Sequence, residues 1–208
     1  MYLNIQDLNT FWLTCEKTKD RWPKIQNLLS NLGVKNTTKV DEGITTPYTI
    51  GISRNHIVAL TEGRQRGFPF LVIEDDVALN PNSNLDLSNF LMPECEALYL
   101  GTSTFGRIHG KTHIRGAVVC NHGEFFKPIN MLGMHAIIYN SDRYVQHTIN
   151  ILENFINSNP KVHPDIGCDN PIAETMWKFD VKSVKVPVFY QNDGHTDGPT
   201  RAQLLPIC

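Results

Sequence analysis

Three consecutive carboxylates, Glu74, Asp75 and Asp76, follow the apolar run Phe68 to Ile73. Acids this close repel one another unless a cation or hydrogen-bond donors offset their charge. One chemistry that uses such a triplet is a divalent ion, Mg²⁺ or Mn²⁺, held by one or two carboxylates while substrate phosphates complete its shell. The other reading is structural: the acids cap a turn ahead of Asn80, Pro81 and Asn82. Side chains alternate along a strand, which predicts Glu74 and Asp76 on one face and Asp75 on the other.

The elements that must position these acids alternate. Phe68 to Ile73 is too short for a helix and too continuous for a half-exposed strand, so it reads as a central strand covered on both faces. Upstream, Thr10–Thr14 and Thr37–Val40 are strand-prone. Between them a helix is expected from an N-cap at Asp20, with Pro23 in its first turn. Its apolar stripe is Trp22, Ile25, Leu28, Leu29 and Leu32, and Gly33 closes it. A second helix is expected from about Ser53 to Glu62, ended by Gly63 and Gly67. Strand, helix, strand, helix, strand argues for a parallel α/β sheet, and such sheets bind ligands beyond the carboxyl ends of their strands.

The second half reads as more strand-rich. Ala97–Leu100, His113–Cys120 and Met134–Tyr139 are strand candidates. Asp142–Asn157 carries a helical stripe through Tyr144, Val145, Thr148, Ile149, Leu152 and Phe155. A short helix follows from about Pro171 to Lys178, and Val184–Tyr190 is a late strand that Pro187 assigns to an edge. The Gly-, Asp- and Pro-rich stretch from Gln191 to Cys208 reads as a loop.

Composition bounds the partners. A net charge of −2 over 208 residues offers no basic field, which argues against nucleic acid. No apolar stretch is long enough for a membrane span, and the N-terminus lacks the pattern of a signal peptide. Five scattered cysteines without a CxxC pair read as reduced thiols of a cytoplasmic protein. His109, His113, Cys120 and His122 are zinc-ligand types, but their spacing fits no standard finger. Gly63 to Gly67 lacks the Lys-Ser/Thr ending of a P-loop and reads as a solvated helix end. Trp12, Trp22 and Trp177 fall at core-like positions.

Gly51 to Leu60 (GISRNHIVAL) followed by Phe70 to Val77 (FLVIEDDV) resembles the signature of family 25, lipopolysaccharide-type, glycosyltransferases. That signature is a Gly-x-x-x-Ser-His helix start, then an apolar strand ending Leu-Glu-Asp-Asp. Phe11 to Gly33 with Asp20-Arg21, Gly133 to Tyr139, and Asp169 to Ile172 are similar to further segments of the family. Arg54-Asn55 departs from it, since members carry Ser directly before the residue equivalent to His56. In its compactness the chain resembles members encoded by large algal DNA viruses, such as chlorella viruses.

The resemblance implies one GT-A-like, Rossmann-like domain over residues 1–208, with a mixed, mainly parallel central sheet flanked by helices. Residues 1–100 would form the nucleotide-sugar half and 101–208 the acceptor half. It implies a Mn²⁺- or Mg²⁺-dependent, inverting transfer from a nucleotide sugar, UDP-linked by preference, to a hydroxyl of a glycan or glycoprotein. The triplet would stand for the DxD motif. Asp76 would bind the metal, with Glu74 through water or the ribose, Asp75 on the ribose side, and His195 as a third ligand; His195 also reads as a surface histidine. Asp169 is the first choice of general base and Asp165 the second, and either also suits a helix cap. Donor contacts are expected from the Thr14–Lys17 loop, including Glu16, from Asp41 and Glu42, and from Arg21. Ser53, Arg54 and His56 would meet the nucleotide at a helix start. Rival classes are a non-catalytic nucleotide-sugar or glycan-binding module and a Mg²⁺-dependent phosphohydrolase or nucleotidyltransferase. The abrupt end after Leu204 to Ile207 suggests the front part of a longer polypeptide.

Overall fold

The computed structural model describes residues 1–43, 48–103, 105–108, 111–115, 118–119, 124–158 and 167–191. Its centre is an eight-stranded sheet among the described residues. The strands are β1 (Asn9–Leu13), β2 (Asn36–Val40), β3 (Phe70–Glu74), β4 (Ala97–Tyr99), β5 (Val118–Val119), β6 (Phe125–Pro128), β7 (Ala136–Tyr139) and β8 (Val181–Val184). Their order across the sheet is β5-β6-β8-β4-β7-β3-β1-β2. β1 runs parallel to β2 and β3, and β8 runs parallel to β4. Only β7 and β6 run against the rest. The expected mixed, mostly parallel α/β sheet flanked by helices is what the chain forms.

β3 is central, between β1 and β7, as its unbroken apolar run requires. Alternation then sorts its side chains. Phe70 and Val72 face a core shared with Phe11, Ile137, Tyr139, α2 (Tyr48–Arg66) and α3 (Asp142–Ser158). Leu71 and Ile73 face the other core, with Trp12, Ile138 and Ile25 and Leu29 of α1 (Trp22–Asn31). Phe70, Leu71, Val72 and Ile73 are all fully buried, each contributing about 1.5–3 kcal/mol relative to exposure.

Several sequence-level boundaries move. Asp20 is not an N-cap, because a 3₁₀ stretch from Glu16 to Arg21 already leads into α1. α2 begins at Tyr48, five residues before the expected start. Gly51, a poor helix former, is buried inside the helix. The late strand divides: β8 lies inside the sheet between β6 and β4, and Phe189–Gln191 pairs instead with Val77–Leu79, so Pro187 falls in the connection and not on an edge strand. Lys111–Arg115 belongs to a separate hairpin with Phe105–Ile108. Trp12 is buried, whereas Trp177 is 58% exposed on a short 3₁₀ turn after α4 (Asp169–Thr175). Arg64 and Arg66 at the end of α2 are tied to Asp142, Gln146, Thr38 and Glu62, as a solvated helix end predicts. Cys15, Cys95 and Cys168 are free and buried; Cys120, Cys208 and the side chains of the expected His109–His122 group lie outside the described residues. No described helix is long and apolar enough to cross a membrane.

Candidate functional site

The register of β1 on β3 pairs Leu13 with Glu74, so both strands end at the same level. Beyond that level the chain turns, and Thr14 and Asp75 meet. A cavity of about 250 Å³ opens here, lined by Thr14 and Cys15 after β1, Glu74, Asp75 and Asp76 after β3, and Tyr48, Gly51, Ile52 and Asn55 from the first turns of α2. Arg21, Gly43 and Gln191 complete the wall. The sequence placed the acids at a carboxyl edge where ligands bind, and the cavity lies at that edge.

Strand alternation does not govern the triplet, because β3 ends at Glu74 and the next two residues form a turn. Asp75 is therefore not set apart from Asp76: Arg21 Nη1 lies 3.4 Å from Asp75 Oδ1 and 3.7 Å from Asp76 Oδ2. Thr18 Oγ1 donates to Asp75 Oδ2 at 2.5 Å, and Thr14 Oγ1 donates to the same oxygen. Trp22 Nε1 in turn donates to Thr14 Oγ1 at 2.6 Å, and Lys39 Nζ lies 3.3 Å over the Trp22 ring. Two carboxylates raise the pKa of Arg21 even though burial opposes this, so its charge is fixed.

Glu74 turns elsewhere. Its Oε1 is 3.2 Å from His56 Nε2, and its Oε2 accepts from Gln191 Nε2 at 3.2 Å. Burial pushes its pKa up, but the His56 contact, His135 and Gln191 outweigh it and hold the carboxyl below its ordinary value. His56 is fully buried in the body of α2. This corrects the expectation that Ser53, Arg54 and His56 present free helix N–H groups to a ligand. Ser53 is buried and bonds back to the Thr49 carbonyl, Arg54 is exposed, and α2's first turn is five residues upstream.

Asn55, which stands where the resembling family has Ser, is a bracket. Its Nδ2 donates to the Thr14 carbonyl at 2.7 Å and its Oδ1 accepts from the Glu42 amide at 2.8 Å, joining the ends of β1 and β2 to α2. Of the other expected donor contacts, Asp41 accepts from Gly43 N at 3.0 Å and pairs with Lys39, while Glu42 is exposed. Glu16 is exposed and pairs with Lys19.

Asp169 opens α4 half-buried, and its Oδ2 accepts from the Gly133 amide at 2.8 Å. Two residues on, the His135 carbonyl accepts from the Glu74 amide at 2.9 Å. The Gly133–His135 segment thus joins Asp169 to the acidic strand end. Burial, reinforced by the negative charge of Glu74, raises the Asp169 pKa above its ordinary value against the Gly133 hydrogen bond. His135 is itself buried, beside Gly101 and Gly133, and burial lowers its pKa. Asp165 and His195 lie outside the described residues.

No protein-family profile matches the chain, and no curated protein matches it. The resemblance to family 25 therefore rests on the quoted residues. Solved structures do match. One is the nucleoside-diphosphate-sugar pyrophosphorylase from Vibrio cholerae RC9, at 12% identity and a TM-score of 0.46 over 88% of this chain and 76% of that one. Another is CTP:phosphocholine cytidylyltransferase from Streptococcus pneumoniae, at 12% identity and 0.46 over 89% and 74%. At these values the activities named belong to those proteins.

The sequence singled out neither Thr18 nor Gln191, nor above all Tyr48, which is 49% exposed and lines the cavity. Burial and the neighbouring acids push the Tyr48 hydroxyl up, so it stays protonated. The signal for Tyr48 was its place directly after Pro47, since proline is common at a helix start.

The donor set suits a divalent ion only in a particular way. Among the described residues no group of three His, Cys, Asp or Glu side chains is arranged to hold a metal. Mg²⁺ and Mn²⁺ do not require one, since one or two carboxylates suffice when substrate phosphates and water fill the remaining positions. Asp75 and Asp76 offer oxygens at the cavity that meet this need.

Proposed function

We propose that the chain is an enzyme that handles a nucleotide-activated substrate, with the nucleoside diphosphate held in the cavity between β1, β3 and the first turns of α2. The observation that carries this reading is the convergence of three carboxylates, at the end of a buried central strand, with a helix N-terminus and an exposed aromatic ring on one 250 Å³ space. Oriented amides favour phosphate, an aromatic face suits a base, and carboxylates recruit the cation that offsets the diphosphate.

Within this reading the chemistry is transfer of a sugar from a nucleotide sugar, UDP-linked by preference, to a glycan hydroxyl with inversion. An acceptor oxygen attacks the anomeric carbon, the bond to the diphosphate oxygen breaks, and the acceptor proton passes to Asp169, held by the Gly133 amide. When bound, Mn²⁺ or Mg²⁺ supplies charge neutralisation for the departing diphosphate. Asp76, with Glu74 or Asp75 beside it, would hold the ion, and residues from about 101 onward would bind the acceptor.

A second reading, nucleotidyl transfer by the same acids, is favoured by Arg21, because a guanidinium at the cavity wall is the kind of group that clamps a reacting phosphate. Product analysis separates the two. Incubation with Mn²⁺ and a panel of UDP-sugars and sugar acceptors should release UDP and glycosylate the acceptor. Formation of pyrophosphate from a nucleoside triphosphate and a sugar phosphate, with no UDP release, would establish the second reading instead.

A further inference from the structure

We infer that Arg21 is a resident cation that occupies the place of the divalent ion, so that metal binding requires its displacement. This rests on the reading above, with Asp75 as the partner of Asp76 at the ion, since both Glu74 oxygens are engaged by His56 and Gln191. A single nitrogen, Arg21 Nη1, lies within reach of both carboxylates, 3.4 Å from Asp75 Oδ1 and 3.7 Å from Asp76 Oδ2. Asp75 Oδ2 is already committed to the hydroxyls of Thr14 and Thr18, which leaves Oδ1, the oxygen that faces Arg21, as the one Asp75 would offer an ion. The two hydroxyls hold Asp75 in place whether or not Arg21 is there, so its free oxygen stays aimed when the guanidinium leaves. Arg21 has somewhere to go: its side chain is 28% exposed at the cavity wall, not locked in the core.

A guanidinium and a divalent ion a few ångströms apart repel strongly at a partly buried site, so the two occupy the acids alternately. The consequence is ordered binding. The metal alone binds weakly, and a diphosphate raises its affinity by adding ligands to the ion and negative charge that draws Arg21 off the acids.

The test is Mn²⁺ titration of the ligand-free protein, read by the electron paramagnetic resonance signal of free Mn²⁺. Wild type is compared with Arg21→Gln, Arg21→Lys and the double variant Arg21→Gln/Asp76→Asn. Arg21→Gln should bind Mn²⁺ about tenfold more tightly than wild type. Arg21→Lys, which keeps the charge, should stay near wild type, and the double variant should lose the gain. Equal or weaker binding by Arg21→Gln overturns the inference, as does the same gain in Arg21→Lys or its survival in the double variant. The wild-type protein titrated with Mn²⁺ in the presence of UDP gives a separate result. Failure to bind there removes the functional reading itself, whereas binding there without a gain in Arg21→Gln removes only the role of Arg21.

Discussion

In the proposed transfer Asp169 is the base, and its surroundings give it a distinctive pH signature. Burial and Glu74 raise its pKa, so it ionises at higher pH than the ordinary aspartate value of about 3.9. As a base it must be ionised, and activity should therefore rise with pH through the raised value, giving an acid limb displaced upward from that of an ordinary aspartate. Asp169→Asn should lower turnover about 10²–10⁴-fold and abolish that limb in a pH–rate profile. Stability carries the opposite sign. A carboxyl with a raised folded pKa favours the fold fully below its unfolded pKa and loses that contribution as pH rises through the folded one. Asp169→Asn should then melt higher than wild type at neutral pH, with the gain vanishing in acid. A variant with wild-type turnover would remove Asp169 from the mechanism. At this scale the sequence was legible for residue types and less so for their directions. Glu74, Asp75 and Asp76 were visible as an acidic cluster at a strand end, but which oxygens face Arg21, His56 or the two threonines depends on where β3 stops, and no periodicity announces that.

Between elements, the cavity depends on α2 sitting close against β3. Gly63 makes this approach possible: a Cβ there would collide with the Phe70 ring, which is fully buried in the core. Gly63→Ala should destabilise the protein by about 1–3 kcal/mol in chemical denaturation, although alanine is the better helix former. Unchanged or increased stability would show that α2 can retreat without cost. The same helix shows why part of the site stayed hidden. Its body from about Ser53 to Glu62 was legible, but its first turn, with Tyr48 and Gly51 at the cavity, was not. Glycine inside a helix is locally unfavourable, and the packing that overrides it is tertiary. The late strand was misplaced for a related reason: Val184–Tyr190 was expected as one edge strand, and β8 is Val181–Val184. Pro187 signalled an edge, but it lies after the strand ends at Val184, leaving Val181–Val184 free to pair on both sides.

For the molecule as a whole, the α/β class followed from the alternation of elements and from one continuous apolar strand, and the sheet has that strand at its centre. Burial of Phe70 to Ile73 on both faces compels it, since alternate residues enter separate cores built on α2 and α3 and on α1. The directions of β6 and β7 and the return of Phe189–Gln191 to Val77–Leu79 were not readable, because pairing partners distant in sequence leave no local signal. That return brings Gln191 to Glu74 and closes the cavity wall.

In the proposed function this wall binds a nucleoside diphosphate through the acidic strand end. Calorimetric titration of UDP, with and without Mn²⁺, into wild type and Asp76→Asn addresses it most directly. The expected result is Mn²⁺-dependent binding to wild type that is lost in a folded Asp76→Asn protein. Equal binding by the variant, or no UDP binding to wild type in either condition, would contradict it.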